Sequence, residues 1–178
     1  MYFFICKGGG AIKNIKLVVG LMIVCLLSSC GTKIDKEVQE VIKEDCTVER
    51  LKKYENESIY RIYHVTDSEN NKIIQLIEQN GFVDKIKMMV VIDCKEDEIE
   101  QIKILEHNES HDYGDLLTEE WFLERFKGKT ATIPLRVVKM SAKEENQIVA
   151  ITGATITSEA VAKGANLCMN NYQKIKGE

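Results

Sequence analysis

Apolar and polar residues alternate along the first half of the chain in short runs that end at polar turns. Three runs rich in β-branched and aromatic residues follow one another: IYRIYHV (59–65), KIIQLIE (72–78) and FVDKIKMMVVID (82–93). This composition is typical of β-strands. A fourth run, IEQIKILEH, begins after the short turn CKEDE, so we predict that Ile86–Ile92 and Ile99–Leu105 form a hairpin.

Helical spacing marks both ends of the chain. Apolar residues recur among many charges from Ile34 to about Tyr54, which predicts an amphipathic helix. A second helix is predicted from Ser158 onward, with Thr157 or Ser158 as its N-cap. The residues expected to share its inner face are Val161, Gly164, Ala165, Cys168 and Tyr172.

Between these ends, TEEWFLERFKG (118–128) predicts a short helix with Thr118 as its N-cap and Gly128 as its end. Its aromatic residues Trp121, Phe122 and Phe126 are expected to dock the helix on the core. PLRVVKM (134–140) predicts a further strand. Strands, hairpin connections and interspersed helices together favour an α+β fold. We expect a single domain with a twisted, mainly antiparallel sheet and flanking helices after an N-terminal signal.

The N-terminus carries the pattern of a secretory signal. Three lysines precede the uncharged run LVVGLMIVCLL (17–27), which falls short of the ~20 residues of a transmembrane helix. The order Leu-Ser-Ser-Cys at 27–30 resembles a bacterial lipobox, which predicts a signal peptide over 1–29 and a lipid on the thiol of Cys30. A non-cleaved anchor is the alternative. Both place the body outside the cytoplasm, tethered to a membrane.

Charge and cysteine content narrow the classes of partner. The net charge is −4, and it becomes −7 without residues 1–29. Phosphates would repel such a body, so nucleic acid is not an expected partner. Downstream of Cys30 the chain keeps Cys46, Cys94 and Cys168, which allow at most one disulfide and form no CxxC pair. We expect them to be buried thiols.

Small hydroxyl residues crowd the segment ITGATITS (151–158) before the last helix. The N-terminus of a helix offers unpaired N–H groups and a partial positive charge, which favour a phosphate. Gly153 permits a tight turn there and Ala154 leaves room for a bulky group. A Ser/Thr-rich cap without a ligand is the alternative interpretation.

Potential metal ligands occur in HNESH (107–111), where His107, Glu109 and His111 are close in sequence. Zinc sites need three or four ligands with supporting hydrogen bonds, and neither HExxH nor a PCxxC partner is present. We therefore favour loop histidines over a metal site.

The segment AITGATITSEAV resembles the flavinylation motif of the FMN-binding domain family, whose pattern is Ser/Thr-Gly-Ala-Thr-x-Thr/Ser-Ser. That family includes the flavin subunits of the Rnf complex and of the sodium-pumping NADH:quinone reductase. The similarity extends over about 81–172, because Gly-aromatic at 81–82, the loop NESHDYGD and the segment WFLERFKGK also resemble the family.

The resemblance implies a cofactor, FMN, joined by a phosphoester to Thr155 by a flavin transferase. It implies that Thr152, Gly153, Ala154 and Thr157 shape the phosphate turn. The residues that it places near the flavin ring are Glu109, Ser110 and Gly114.

Two positions depart from the family pattern. Val149 stands where the family usually has an aspartate that belongs to the transferase recognition pattern. The family's Glu-Thr-Pro-Gly is Glu109-Ser110-His111-Asp112 here, with Gly114 as the nearest match to a later glycine.

These observations predict a lipid-anchored, extracytoplasmic flavoprotein that carries electrons from a membrane donor to an external acceptor. Its predicted organisation is a signal over 1–29, a tether and helix over 30–58, and an FMN-binding domain over 59–178. A stand-alone enzyme is not required. The alternatives are the flavin subunit of an Rnf-type complex and a flavin-free binding module.

Overall fold

Five antiparallel strands form the main sheet and lie side by side in chain order. They are β1 Thr47–Arg50, β2 Ile59–Thr66, β3 Asn71–Asn80, β4 Lys85–Asp93 and β5 Glu98–Glu106. The computed structural model describes residues 34–43 and 45–178, and the compact unit that contains the sheet spans Asp35–Glu178. The predicted signal peptide and Cys30 lie outside the described residues.

The strands predicted from the hydrophobic runs are confirmed. β3 and β4 pair from Lys72↔Asp93 to Asn80↔Lys85, and β5 returns alongside β4 as the predicted hairpin. Met88 to Ile92 are all buried, so β4 is covered on both faces. This burial explains why its sequence is continuously apolar and does not alternate.

The predicted helix from Ile34 to Tyr54 is wrong. Only Lys36–Gln39 is α-helical (α1), and a 3₁₀ turn covers Lys52–Tyr54. Between them β1 pairs with the edge of β2, with Val48 opposite Val65. Pairing with a neighbouring strand satisfies the backbone hydrogen bonds of this segment and overrides its helical spacing.

The helix predicted over 118–128 is shorter than expected. A 3₁₀ turn covers Gly114–Thr118, and the α-helix α2 covers Glu120–Leu123. The prediction of Thr118 as N-cap is wrong, because its hydroxyl donates backward to the carbonyl of Asp115 at 3.0 Å. Phe122 and Phe126 are core residues as predicted, whereas Trp121 is exposed.

The C-terminal helix α3 covers Thr155–Lys176 and packs against β3 and β4. Its five predicted inner-face residues are all buried. Gln75 of β3 donates to the carbonyl of Cys168 at 2.8 Å and accepts from Asn171 at 2.9 Å. This buried polar link fixes the position of the helix on the sheet.

Two short strands lie outside the main sheet, and the first of them packs against α3. β6 (Arg136–Val138) and β7 (Gln147–Val149) pair in parallel, and β7 was not predicted. Asn166 of α3 accepts from the amide of Leu135 at 2.7 Å and donates to its carbonyl at 3.0 Å. This bidentate contact joins the entrance of β6 to the helix.

The predicted fold class is confirmed: a single α+β domain with a mainly antiparallel sheet. Among the described residues, no helix is long and apolar enough to span a bilayer. Cys168 is buried as predicted, while Cys46 and Cys94 are only partly buried, and all three are free thiols.

Candidate functional site

The segment between β7 and α3 forms a tight turn that brings Gly153 into a left-handed conformation. The amide of Ala154 donates to the carbonyl of Ile151 at 3.0 Å, and Gly153 has φ +85°. A positive φ at the third residue is the pattern of a type II turn, which favours glycine there. The predicted tight turn at Gly153 is therefore present.

The helix begins three residues earlier than predicted, at Thr155. Neither Thr157 nor Ser158 is its N-cap; that position is Ala154, which makes no side-chain cap. The hydroxyl of Ser158 accepts from the amide of Ile151 and donates to the carbonyl of Ala154, both at 2.9 Å. Ser158 thus closes the turn from inside the first helical turn, where it is fully buried.

A pocket of about 280 Å³ opens at this end of α3. Its lining residues are Phe82, Ser110, Gly153, Ala154, Thr155, Ile156 and Thr157. The first amides of an α-helix have no intrahelical partner and carry the positive end of the helix dipole. The pocket therefore combines hydrogen-bond donors with a favourable potential for an anion.

Glu109 is buried at the junction of three segments, with 4% of its surface exposed. Its carboxylate accepts the amides of Phe82 at 3.0 Å and Val83 at 2.9 Å, in the turn between β3 and β4. It also accepts the hydroxyl of Thr157 from α3. Burial raises the pKa of this carboxyl, but these hydrogen bonds outweigh burial and lower its pKa overall.

Ser110 and Gly114 belong to the loop that carries Glu109. The amide of Gly114 donates to the hydroxyl of Ser110 at 3.2 Å, and a β carbon on Gly114 would lie 2.8 Å from Cβ of Glu109. Ser110 lines the pocket, whereas Glu109 and Gly114 do not. Of the three residues predicted to lie near the flavin, only Ser110 lines the pocket. Glu109 and Gly114 instead stabilise the conformation of the loop.

Exposed apolar side chains surround the pocket, and sequence reasoning did not single them out. Phe82 and Ile156 line it, with 61% and 54% of their surfaces exposed. Val83 follows Phe82, and the ring of Tyr113 packs on Gly153. The alternation pattern gives no signal for them because they lie in turns or at a helix start. We call Phe82, Val83, Tyr113 and Ile156 the apolar rim.

The hydroxyl groups of ITGATITS have different surroundings. Thr157 and Ser158 are buried and hydrogen-bonded. Thr152 is exposed in the turn and does not line the pocket. Thr155 is partly exposed and lines the pocket, and its hydroxyl has no hydrogen-bond partner within 34–43 and 45–178. Thr155 therefore has the only hydroxyl of this segment that faces the pocket without a protein partner in the described structure.

Arg125 supports the strand that leads into this turn. Its guanidinium donates to the carbonyl of Val149 and lies 4.7 Å from the ring centroid of Trp121. Burial lowers the pKa of Arg125. The partly buried Val149 is thus held through its main chain.

The histidines of HNESH do not form a cluster with other metal ligands. The ring of His107 accepts the amide of Glu109 at 3.3 Å, and His111 pairs with Asp115 at 3.1 Å. Over the described part of the chain, no group of three or more His, Cys, Asp or Glu side chains is arranged to hold a metal ion.

The fold and the pocket define a small α+β domain with a pocket at the N-terminus of its last helix. The model of the FMN-binding domain family matches residues 81–170, which include every element that forms the pocket. The chain belongs to this family, and FMN is its cofactor.

Two relatives are components of ion-translocating oxidoreductase complexes. A component of the Na(+)-translocating ferredoxin:NAD(+) oxidoreductase complex of Acetobacterium woodii is 36% identical over 97 residues, which cover 54% of this chain and 46% of the relative. Its counterpart in the proton-translocating ferredoxin:NAD(+) oxidoreductase complex of Clostridium ljungdahlii is 35% identical over 110 residues, covering 60% and 58%. The chain thus spans about half the length of these relatives.

Two solved structures share the fold. A component of the Na(+)-translocating NADH-quinone reductase from Parabacteroides distasonis superposes with a TM-score of 0.56 at 21% identity, covering 64% of this chain and 61% of that one. NqrC from Shewanella oneidensis gives a TM-score of 0.58 at 15% identity, covering 92% and 99%.

The residues at the pocket fit a flavin nucleotide. The turn needs a residue without a β carbon at 153, because that atom would lie 2.8 Å from Cγ of Tyr113. Helix amides supply donors for the phosphate, and the apolar rim supplies surface for an aromatic ring system. The bound flavin would supply the redox chemistry, while the protein fixes its position and electrostatic surroundings.

Proposed function

We propose that this chain is an electron-carrying flavoprotein whose FMN is joined through its phosphate to the hydroxyl of Thr155. The observation that carries the proposal is the position of Thr155 at the start of α3, lining the pocket with a hydroxyl that no described residue engages. A phosphorus bound to this oxygen lies beside the free amides of the first helical turn.

The surrounding predicted residues have distinct roles in this proposal. Gly153 and Ala154 form the turn wall beside the phosphate, and Ser110 faces it from the opposite loop. Thr157 holds Glu109. Thr152 lies in the turn outside the pocket lining, so the proposal gives its hydroxyl no part in holding the phosphate. The flavin ring rests on the apolar rim.

The two relatives from ferredoxin:NAD(+) oxidoreductase complexes support electron transfer as the function. In the proposal, residues 1–29 are a signal peptide, Cys30 carries a lipid, and the folded unit, which spans Asp35–Glu178 and includes β1, works outside the cytoplasm. A membrane redox protein is the electron donor and an extracytoplasmic protein or small molecule is the acceptor. A covalent flavin suits this location, because a released flavin would be diluted and lost.

Co-expression with a flavin transferase tests the attachment. We expect a yellow protein whose flavin remains after denaturation and whose Thr155 peptide carries the added mass. Thr155→Val removes the adduct, and the matched control Thr152→Val keeps it because Thr152 lies outside the pocket lining. A colourless wild-type protein with an unmodified Thr155 peptide would support the flavin-free binding module.

A second candidate is the flavin-carrying component of an Rnf-type complex, favoured by the identities of 36% and 35% with the two oxidoreductase components. Mass spectrometry of the mature N-terminus separates the two. Diacylated Cys30 supports the separate lipoprotein, and intact residues 1–29 support the integral component of a complex.

A further inference from the structure

The side chains that line the pocket carry no positive charge to balance a phosphate with two negative charges. No lysine, arginine or histidine is among its lining residues. The positive potential comes from the N-terminus of α3, which is equivalent to roughly half an elementary charge.

A full negative charge lies at the same end of the helix. The carboxylate of Glu109 accepts the hydroxyl of Thr157, which belongs to the first turn of α3 and lines the pocket. Three amides of the β3–β4 turn and the hydroxyl of Thr157 donate to this carboxylate and favour its ionised form. Glu109 therefore places a negative charge beside the partial positive charge of the helix terminus and reduces the compensation available to a phosphate.

Free FMN and esterified FMN differ in charge at this point. A phosphate monoester carries about −1.5 to −2 at pH 7, whereas a diester carries a single negative charge. The second charge of free FMN has no cation in the pocket lining and is repelled by Glu109.

We infer that Glu109 makes the pocket selective for a flavin phosphate with one negative charge, the diester at Thr155, and unfavourable to free FMN. This inference rests on the proposed attachment at Thr155. It means that the apoprotein does not load itself with free FMN and depends on the transferase for its cofactor.

A series of three flavins tests the inference on the full-length chain prepared without a transferase. Riboflavin has no phosphate, riboflavin 5′-(methyl phosphate) mimics the diester, and FMN has the second charge. Binding is measured by quenching of flavin fluorescence. We expect FMN to bind at least about tenfold more weakly than the methyl diester, a modest value for one charge–charge repulsion in a partly solvated site.

Two variants assign the effect to Glu109. Glu109→Gln, with its fold checked by circular dichroism, should close the gap between FMN and the diester. Glu96→Gln removes an exposed carboxylate from the turn between β4 and β5, at the opposite end of β4 from the turn that contacts Glu109, and should leave the gap unchanged. FMN binding as tightly as the diester to the wild-type protein would overturn the inference. So would an unchanged gap in folded Glu109→Gln, or no measurable binding of the diester. If Glu109→Gln does not fold, the wild-type series alone decides.

Attachment is scored separately, by the mass of the Thr155 peptide after co-expression with the transferase. An adduct together with equal affinities for FMN and the diester rejects the inference and leaves the proposed function intact. A clear affinity gap without an adduct rejects covalent attachment instead.

Discussion

The ring of Tyr113 packs against the backbone of Gly153, at the turn that precedes the pocket. A β carbon on Gly153 would lie 2.8 Å from Cγ and 2.9 Å from Cδ1 of the ring. Gly153 also has φ +85°, a conformation that other L residues rarely adopt. The loop of Glu109 and the turn before α3 are thus in direct contact, and only glycine permits it.

Gly153→Ala is expected to impair both the turn and flavin attachment. The left-handed conformation costs a non-glycine residue about 1–2 kcal/mol, and the collision with Tyr113 adds to this cost. Thermal unfolding should show a lower Tm, and the fraction of Thr155 peptide modified by the transferase should fall.

Gly128→Ala is the matched control for this substitution. Gly128 also has a positive φ, +70°, but the nearest atom to its added β carbon is a Glu98 oxygen at 3.7 Å. It should lose stability through backbone strain and keep full attachment. Equal loss of attachment in both variants would refute the role given to the Tyr113 contact.

Thr157→Val should destabilise the protein although the shapes of the two side chains are nearly identical. The substitution removes the hydroxyl donor of a buried carboxylate, and leaving such a group short of a partner costs about 1–3 kcal/mol. Thr157→Ser keeps the donor and should lose much less. Urea unfolding measures the difference, and equal stability of the valine variant and the wild type would contradict the hydrogen bond.

The stabilising effect of ionised Glu109 is expected to vanish in acid. Its folded pKa lies below the ordinary value of 4.5, so the ionised group stabilises the native state above that pH. This contribution is lost as the pH falls through the folded pKa. The difference in unfolding free energy between wild type and Glu109→Gln should be constant near neutrality and shrink below pH 4.5. If the difference in unfolding free energy grew in acid, folding would raise the pKa of Glu109, which is opposite to the expected direction.

Cys94 and Cys168 are expected to react with alkylating reagents at very different rates. Burial, with a smaller effect from the charge of Asp93, raises the pKa of Cys94 to about 11, and burial also raises the pKa of Cys168. Alkylation of the native protein at about pH 8 should spare Cys168 and modify Cys94 slowly. The Cys94 rate should rise about tenfold per pH unit, as its thiolate fraction does. Peptide mass mapping follows each site, and rapid native labelling of Cys168 would contradict its burial.

Strands β2 to β5 could be predicted from the sequence because their apolar residues are mostly buried in the core. Ile86 and Met88 lie in the main hydrophobic core, and the apolar run that contains them ends at a polar turn. Gly81 marks the bend between β3 and β4, where its amide donates to the carbonyl of Asp84 at 2.7 Å. Local pattern and tertiary environment agree in this region.

The errors occur where a distant partner decides the local structure. Val38 and Val48 fit a helical spacing, but Val48 belongs to a strand because β2 offers it an edge. Similarly, Thr157 and Ser158 are good N-caps by residue type. Both lie inside α3 instead. There the hydroxyl of Thr157 donates to Glu109, and the hydroxyl of Ser158 accepts the amide of Ile151.

The site could be predicted in part. Motif resemblance located Thr155, Gly153 and Ser110 in sequence, and the structure brings all three to one pocket. Phe82 and Tyr113 belong to segments that resemble the family, but nothing in the sequence marks either as a neighbour of the pocket. Their proximity to the pocket depends on how two turns meet, which no spacing along the chain encodes.

The contact between Arg125 and residue 149 has a consequence for how this domain can vary. The guanidinium of Arg125 donates to a main-chain carbonyl oxygen, so this hydrogen bond does not depend on the side chain at residue 149. A change of side chain at residue 149 therefore leaves this acceptor in place. Under the proposed attachment, recognition by the transferase can change at this residue while Arg125 keeps its hold on the strand that leads into the turn.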